Sequence, residues 1–253
     1  MTDFSRYTDA VLSSLKSNSR EQELVAKKQE ILEGIYNFYN LRPDSILFVG
    51  FNPAVLNTNV SKVFVTEISE SARQFLTSRK VNYTYIAESD LAQYRKSFDV
   101  VVAVDEYFTF ANTDQEQIDS VSKICSLARE FVISTLRDYK NQDYKDREFS
   151  IPAVTRSSDD FKIYTEFHNW NNQVRTNWTS KLFEIDNDQL EVYGPFDRHT
   201  MYFKQLAKFS LDAGADDFVV HKNLMYKSPV KKNYEHVISI RRSEEHTSEL
   251  QSH

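Results

Sequence analysis

Glycine is scarce in this chain. Four of its 253 residues are glycine, Gly34, Gly50, Gly194 and Gly214, where ordinary usage of roughly 7% would place about 18. No two lie close together, so the P-loop pattern G-x-x-x-x-G-K-[ST] and the dinucleotide fingerprint G-x-G-x-x-G are both absent. Collagen-like and glycine-linker architectures are excluded by the same shortage. A nucleotide-type cofactor would have to be held without a glycine-rich nest. Cysteine is scarcer still. Cys125 alone permits no internal disulfide and fits a reducing, cytoplasmic setting. No apolar run approaches the roughly 20 residues of a membrane helix. The opening MTDFSRYTD carries no apolar signal segment. Basic excess is lacking too: the net charge is −6 and the pI is near 5.6. That balance argues against a nucleic-acid coat or a basic membrane-binding face. There is no H-E-x-x-H, no histidine pair at metal-ligand spacing and no G-x-S-x-G elbow, so neither a metal site nor a serine nucleophile is expected.

What is present reads as a folded globular protein. Hydrophobic residues make up 40% and charged residues 27%, with a mean hydropathy of −0.55. The 18 Phe and 14 Tyr supply ample apolar area for a core. The length suits one domain, expected over residues 1–241 with N-terminal helices in 1–44. The last twelve residues, RSEEHTSELQSH from Arg242 to His253, look like the in-frame translation of a sequencing adapter. The sequence is therefore expected to come from assembled, metagenomic-type reads, and 242–253 is set aside as an artefactual tail. Its one arginine and three glutamates account for −2 of the charge, leaving −4 on the rest.

Hydrophobic periodicity alternates between strand and helix. Leu24, Ile31, Ile35 and Phe38 share one helical face within residues 20–40. Leu41-Arg42-Pro43-Asp44 ends that helix. SILFVG (45–50), KVFVTEI (62–68), VNYTYIA (81–87), FDVVVAV (98–104) and EFVIST (130–135) are short apolar runs that suit buried parallel strands. Ser69 is a plausible N-cap for the helix that follows the second run. Ile118, Val121, Cys125 and Ala128 repeat at helical spacing before the last run, which makes Cys125 a packed thiol. Strands joined by helical crossovers predict a doubly wound, mostly parallel α/β sheet. Residues 155–195 alternate as exposed antiparallel strands do and read as a small inserted β segment or cap. A helix over 201–213 ends at Gly214, in a position that favours left-handed backbone. Two closing strands, DFVVHKNLMY and YEHVISIR, form an antiparallel pair.

This order of features resembles the class I S-adenosylmethionine-dependent methyltransferases, over about residues 30–241. In that family the first strand leads into a loop around the cofactor's amino-acid end, and here that loop reads ILFVGFNPAVL. Asn52 and Ala54 stand where the second and third glycines are expected, and asparagine tolerates left-handed backbone angles. An acidic residue closing the second strand holds the ribose hydroxyls. Glu67 fills that place, 17 residues past Gly50, near the spacing of about 20 in dinucleotide folds. The segment AESDL places Asp90 near the adenine, and FDVVVAVDEYFTF ends beside the reacting methyl group. The resemblance thus implies a cofactor-binding set of Gly50, Phe51, Asn52, Glu67, Ile68, Asp90, Leu91, Asp105 and Glu106. These positions fall at carboxyl ends of strands, where ligands bind in open parallel sheets. S-adenosyl-L-methionine has no pyrophosphate, so a glycine-poor loop suits it better than a dinucleotide.

The catalytic residue is left open, with Tyr107, His168 and His199 as candidates. Trp170, Trp178 and Arg175 could form an aromatic and basic lid. Lys222, Lys227, Lys231, Lys232 and Arg241 give the closing hairpin a basic bias. The function implied is methyl transfer from S-adenosylmethionine to a small-molecule substrate entering between Asp105–Phe110, the loop after Leu136 and the inserted segment. Nucleic acid and membrane are not expected partners, and the oligomeric state is open. Two alternatives stand beside it: a non-catalytic interaction protein on the same fold, and a nicotinamide-dependent reductase, which the missing fingerprint disfavours.

Overall fold

A computed structural model describes residues 3–13, 15, 18–139, 147–149, 153–156, 161–171, 176–186, 189–221 and 235–242. Two N-terminal helices, α1 (Asp3–Ser13) and α2 (Asn18–Tyr39), precede the sheet. Then follow β1 (Ser45–Val49), β2 (Lys62–Thr66), α3 (Glu70–Ser78), β3 (Thr84–Tyr85), β4 (Phe98–Ala103), α4 (Asp114–Leu127) and β5 (Ala128–Arg137). A block of strands comes next: β6 (Arg147–Phe149), β7 (Ala153–Arg156), β8 (Phe161–Asn171), β9 (Asn177–Asp186) and β10 (Gln189–His199). The chain closes with α5 (Phe203–Asp212), β11 (Asp217–His221) and β12 (Glu235–Arg241). Short 3-10 turns at 53–57, 88–94 and 107–110 follow β1, β3 and β4.

Seven strands form the main sheet in the order β11-β12-β5-β4-β1-β2-β3. Strands β1 to β5 are parallel, while β12 and β11 run antiparallel to their neighbours. Every residue of β1 and β4 is buried, as central parallel strands covered on both faces require. Each fully buried Phe or Ile in these strands contributes about 1.5–3 kcal/mol. The order reverses between β1 and β4, and that is the switch point where open α/β sheets open a ligand crevice. Strands β6 to β10 build a second, antiparallel sheet ordered β10-β9-β8-β6, with β7 also paired to β8.

Helix faces follow the expected period with two exceptions. Ile31, Leu32 and Ile35 are buried on α2, but Phe38 is 63% exposed. The buried stripe runs on from Ile35 to Tyr39, whose ring lies 4.7 Å from Phe131. On α4 the buried stripe is Val121, Ile124 and Cys125, and Ile118 faces outward while Gln117 turns in. Gln117 earns its burial by donating to the His199 carbonyl at 3.0 Å. Ser69 caps α3 through the Ala72 N–H, and Gly214 ends α5 at φ +84°. The third expected strand shrinks to Thr84–Tyr85 because its sheet edge is open to solvent. Lys222, Lys227, Lys231, Lys232 and Arg175 lie outside the described residues.

Candidate functional site

The carboxyl ends of β1, β2 and β4 share one backbone property. Gly50 (φ +75°), Glu67 (φ +54°), Asp105 (φ +59°) and Glu106 (φ +57°) all lie in the left-handed region. For residues with a side chain this conformation costs about 1–2 kcal/mol each. The other such residues, Asn40, Lys80 and Lys96, end helices or turns, where the conformation is routine. Three acidic residues with strained backbone at neighbouring strand ends make this end of the sheet the candidate site. Strain at Asp105 and Glu106 is held by Thr135 of β5, whose hydroxyl accepts both backbone N–H groups, at 2.9 and 3.4 Å.

Asn52 departs from the expected glycine-like role. Its φ is −123° and its side chain accepts the Ala54 N–H at 2.9 Å. It caps the 3-10 turn 53–57, and Pro53 sits at the first position of that turn, where a missing N–H costs nothing. The extended cap geometry thus replaces the second glycine. Phe51 is buried beside Phe75, with centroids 5.8 Å apart. Ile68 and Leu91 are buried core residues. Asp90 is exposed; its carboxylate accepts from the neighbouring Ser89 hydroxyl at 3.1 Å and its N–H donates to the Ala87 carbonyl at 2.9 Å.

Glu67 is 9% exposed. Its carboxylate accepts from the Tyr107 hydroxyl at 2.9 Å and from Lys123 Nζ of α4 at 3.2 Å. Burial pushes its carboxyl above the usual range, against the opposing pull of Lys123 and Tyr107. Burial lowers the Lys123 amine, but Glu67 and Glu88 (2.9 Å) outweigh it and hold the amine protonated. Asp105 pairs with Lys28 of α2. Glu106 accepts from the Tyr139 hydroxyl at 2.6 Å and lies 3.4 Å from the Arg137 guanidinium.

Helix α1 lies over these strand ends. A Cβ built on Gly50 would fall 2.3 Å from the Phe4 ring, so any other residue there would force that ring aside and would also be strained at φ +75°. The Phe4 ring also meets Tyr107 edge-on at 4.8 Å and Phe110 at 5.0 Å. Asp9 of α1 accepts from the Ser69 hydroxyl at the start of α3.

Beyond Glu106 the second sheet packs near these strand ends. Arg198 is buried with its guanidinium 3.5 Å from the Phe110 ring centre and 5.3 Å from that of Trp178. His168 faces Arg137 through Nδ1 at 3.0 Å and Glu166 through Nε2 at 3.2 Å. Burial would raise the Glu166 carboxyl, but His168, Arg198 and Arg137 bring it down to about 2. Trp170 stacks on Trp178 at 4.7 Å, and the buried Trp178 Nε1 has no hydrogen-bond partner among the described residues. His199 bridges Asn177 and Asp114.

The structure thus gathers Gly50, Glu67 and Tyr107 with Phe4 in one contact network. Glu106 and His168 join through Arg137, while Asp90 and His199 make their contacts elsewhere. Phe4, Lys28, Lys123, Tyr139, Glu166 and Arg198 contact the candidate residues or their partners although no motif announces them. The helical repeat of α1 was the available signal for Phe4. The others gain partners from residues tens of positions away. No cluster of three or more metal-ligating side chains occurs among the described residues.

Neither a protein-family model nor a curated protein sequence matches the chain. Solved structures do. The chain is similar to DesVI of Streptomyces venezuelae (TM-score 0.65, 12% identity, covering 93% of this chain and 98% of that one). It is also similar to the CcbJ methyltransferase of Streptomyces caelestis (TM-score 0.63, 14% identity, 87% and 96% covered). A third is CalS10 of Micromonospora echinaspora, an amino pentose methyltransferase of calicheamicin biosynthesis with SAM bound (TM-score 0.62, 12% identity, 94% and 96% covered). At these identities the likeness defines the fold, which is the class I methyltransferase fold.

Proposed function

We propose that this protein binds S-adenosyl-L-methionine at the carboxyl ends of β1, β2 and β4 and transfers its methyl group to a small molecule. The observation that carries the reading is the trio of strand ends with left-handed backbone at Gly50, Glu67 and Asp105–Glu106, strained at the three acidic residues. The residues fit the cofactor's chemistry. Glu67 is a buried carboxylate at the end of β2 whose charge is disfavoured by burial, and a ribose diol would supply two further hydroxyl donors. The nearest group to the open side of Gly50 is the Phe4 ring, a side chain that can move. SAM-bound CalS10 on the same fold supports the assignment.

Gly50 and Phe51 would line the amino-acid end, and Glu67 would take the ribose once Tyr107 releases it. Ile68 and Leu91 would flank the base, with Asp90 at its edge. Asp105 and Glu106 would face the ammonium and the acceptor. Bound cofactor supplies a sulfonium-activated methyl group for in-line attack. The protein's part is to position the acceptor and exclude water. Tyr107, Phe110 and Tyr139 wall the crevice, and the indole N–H of Trp178 is left to meet an acceptor oxygen. Burial holds the Tyr107 and Tyr139 hydroxyls protonated, so they act as donors.

A second reading rests on a specific observation. Phe4, Tyr107 and Lys28 already satisfy Gly50, Glu67 and Asp105, as a non-catalytic member of the fold would have them. Calorimetric titration with S-adenosylhomocysteine separates the two. Micromolar to submillimolar binding that falls at least about tenfold in Glu67→Ala is expected. No heat at millimolar ligand, in wild type and in Phe4→Ala alike, leaves the non-catalytic reading.

A further inference from the structure

A cavity of about 350 Å³ lies at the amino ends of β1 and β2, opposite the carboxyl ends described above. Small-molecule sites occupy about 300–1,000 Å³. Four segments build it. Gln29, Leu32, Glu33 and Tyr36 recur at helical spacing on one face of α2. Residues 41–44 lead into β1 and residues 58–61 lead into β2. The Lys62 N–H ties these two leads together by donating to the Asp44 carbonyl at 3.0 Å. The turn 53–57 supplies the last wall. The Gln29 side-chain amide donates to the Asn57 carbonyl, and the Asn57 amide donates to the Gln29 side-chain oxygen at 3.1 Å, which holds the turn against the helix. Leu32 and Ala54, both buried, and Leu41 and Val60, both half-buried, give the cavity an apolar side.

The polar groups of this cavity are short of partners. The Tyr36 hydroxyl is buried and has no hydrogen-bond partner among the described residues. Burial pushes its pKa up, so it stays protonated and has one proton to donate. A buried donor of this kind calls for an acceptor. Arg42, Glu33 and Asp44 line the same cavity, and their side chains pair neither with one another nor with any other described residue. Unpaired charges of both signs beside an apolar wall match a molecule that itself carries both signs. We propose that this cavity binds a zwitterionic α-amino acid with an aliphatic side chain. Its carboxylate accepts from the Arg42 guanidinium and the Tyr36 hydroxyl, both pure donors in this state. Its ammonium meets Glu33 or Asp44, and its side chain lies on Leu32, Leu41, Ala54 and Val60. A simple anion or an uncharged base would answer only part of this set. Arg42, Glu33 and Asp44 are exposed, so each ion pair is modest and the affinity is of metabolite strength. The cavity shares no residue with the proposed cofactor set, and its occupant does not depend on that reading.

Titration of the isotopically labelled full chain with L-leucine, followed by amide NMR, tests this. Saturable shifts at the amides of Arg42, Asp44 and Ser61 are expected, with a dissociation constant of about 1 mM or below. Isocaproate, which lacks the ammonium, and L-leucinamide, which lacks the carboxylate, should each bind at least about tenfold more weakly. Arg42→Gln should weaken L-leucine by about tenfold and Tyr36→Phe by several-fold. Val60→Trp, which fills the apolar side, should abolish binding. If Tyr36→Phe or Val60→Trp does not fold, Arg42→Gln decides, because an exposed residue is replaced with little effect on folding. Four results overturn the proposal: no saturation by roughly 20 mM L-leucine, shifts confined to other amides, an equal affinity for either analogue, or an affinity unchanged in Arg42→Gln.

Discussion

Glu67 is a residue whose chemistry and stability pull against each other. Its folded pKa is raised by burial, so the neutral form is favoured in the native state. Stability linked to this group is complete below its unfolded value and is lost as pH rises through the folded one. Glu67→Gln removes that cost. The urea midpoint of Glu67→Gln should exceed that of wild type at pH 8 and match it near pH 4, and an unchanged or lower midpoint at pH 8 would contradict the burial argument. The left-handed backbone at Glu67 and Asp105 belongs to the same pattern. A site that tolerates buried charge and strained φ is held by packing elsewhere. The acidic residue at the end of β2 was legible from strand order alone. Lys123 and Tyr107 were not, because their approach to Glu67 spans 56 and 40 residues.

At the scale of the element, α1 is the piece that would decide access on the proposed function. It lies between the strand ends and β10, with its Asp3 side chain accepting the Asp197 N–H at 3.4 Å. Phe4 fills the space above Gly50, so a ligand bound there as proposed would have to displace that ring or the whole helix. A binding-competent state that is rarely populated lowers apparent affinity by its population. Phe4→Ala should therefore tighten S-adenosylhomocysteine binding by roughly tenfold, since a buried phenyl ring contributes about 1.5–3 kcal/mol to closure. The same substitution should lower the melting temperature. Affinity that stays constant or weakens would show that Phe4 supports the site and does not block it.

Across the whole molecule, the second sheet is joined to the first by buried charge. Glu166, His168, Arg137, Arg198 and Glu106 link β8, β5, β10 and the end of β4. Glu166 titrates near 2 in the folded state. Its contribution is present above the unfolded value and disappears as pH falls through about 2. From that displacement Glu166→Gln should cost about 3 kcal/mol at neutral pH and little near pH 2, measured as a difference in urea unfolding free energy. A cost that does not change with pH would mean that Gln loses packing or hydrogen bonds, with no ionic part. Breaking one side of a buried network leaves the other charges unpaired, so detachment of the second sheet is the expected first step in acid.

Strand runs such as SILFVG and FDVVVAV determined the parallel sheet by themselves, because a strand buried on both faces must be apolar throughout. The order of strands and helices determined the switch point, and with it the place of Gly50, Glu67 and Asp105. The shortage of glycine determined that no phosphate nest could form there. Tertiary structure alone decided that Asn52 caps a turn in extended geometry, that Phe38 and Ile118 face outward, and that Phe4 covers Gly50. Local pattern reports which side chains share a face. It does not report what that face meets, because the partner is set by packing between segments far apart in the chain.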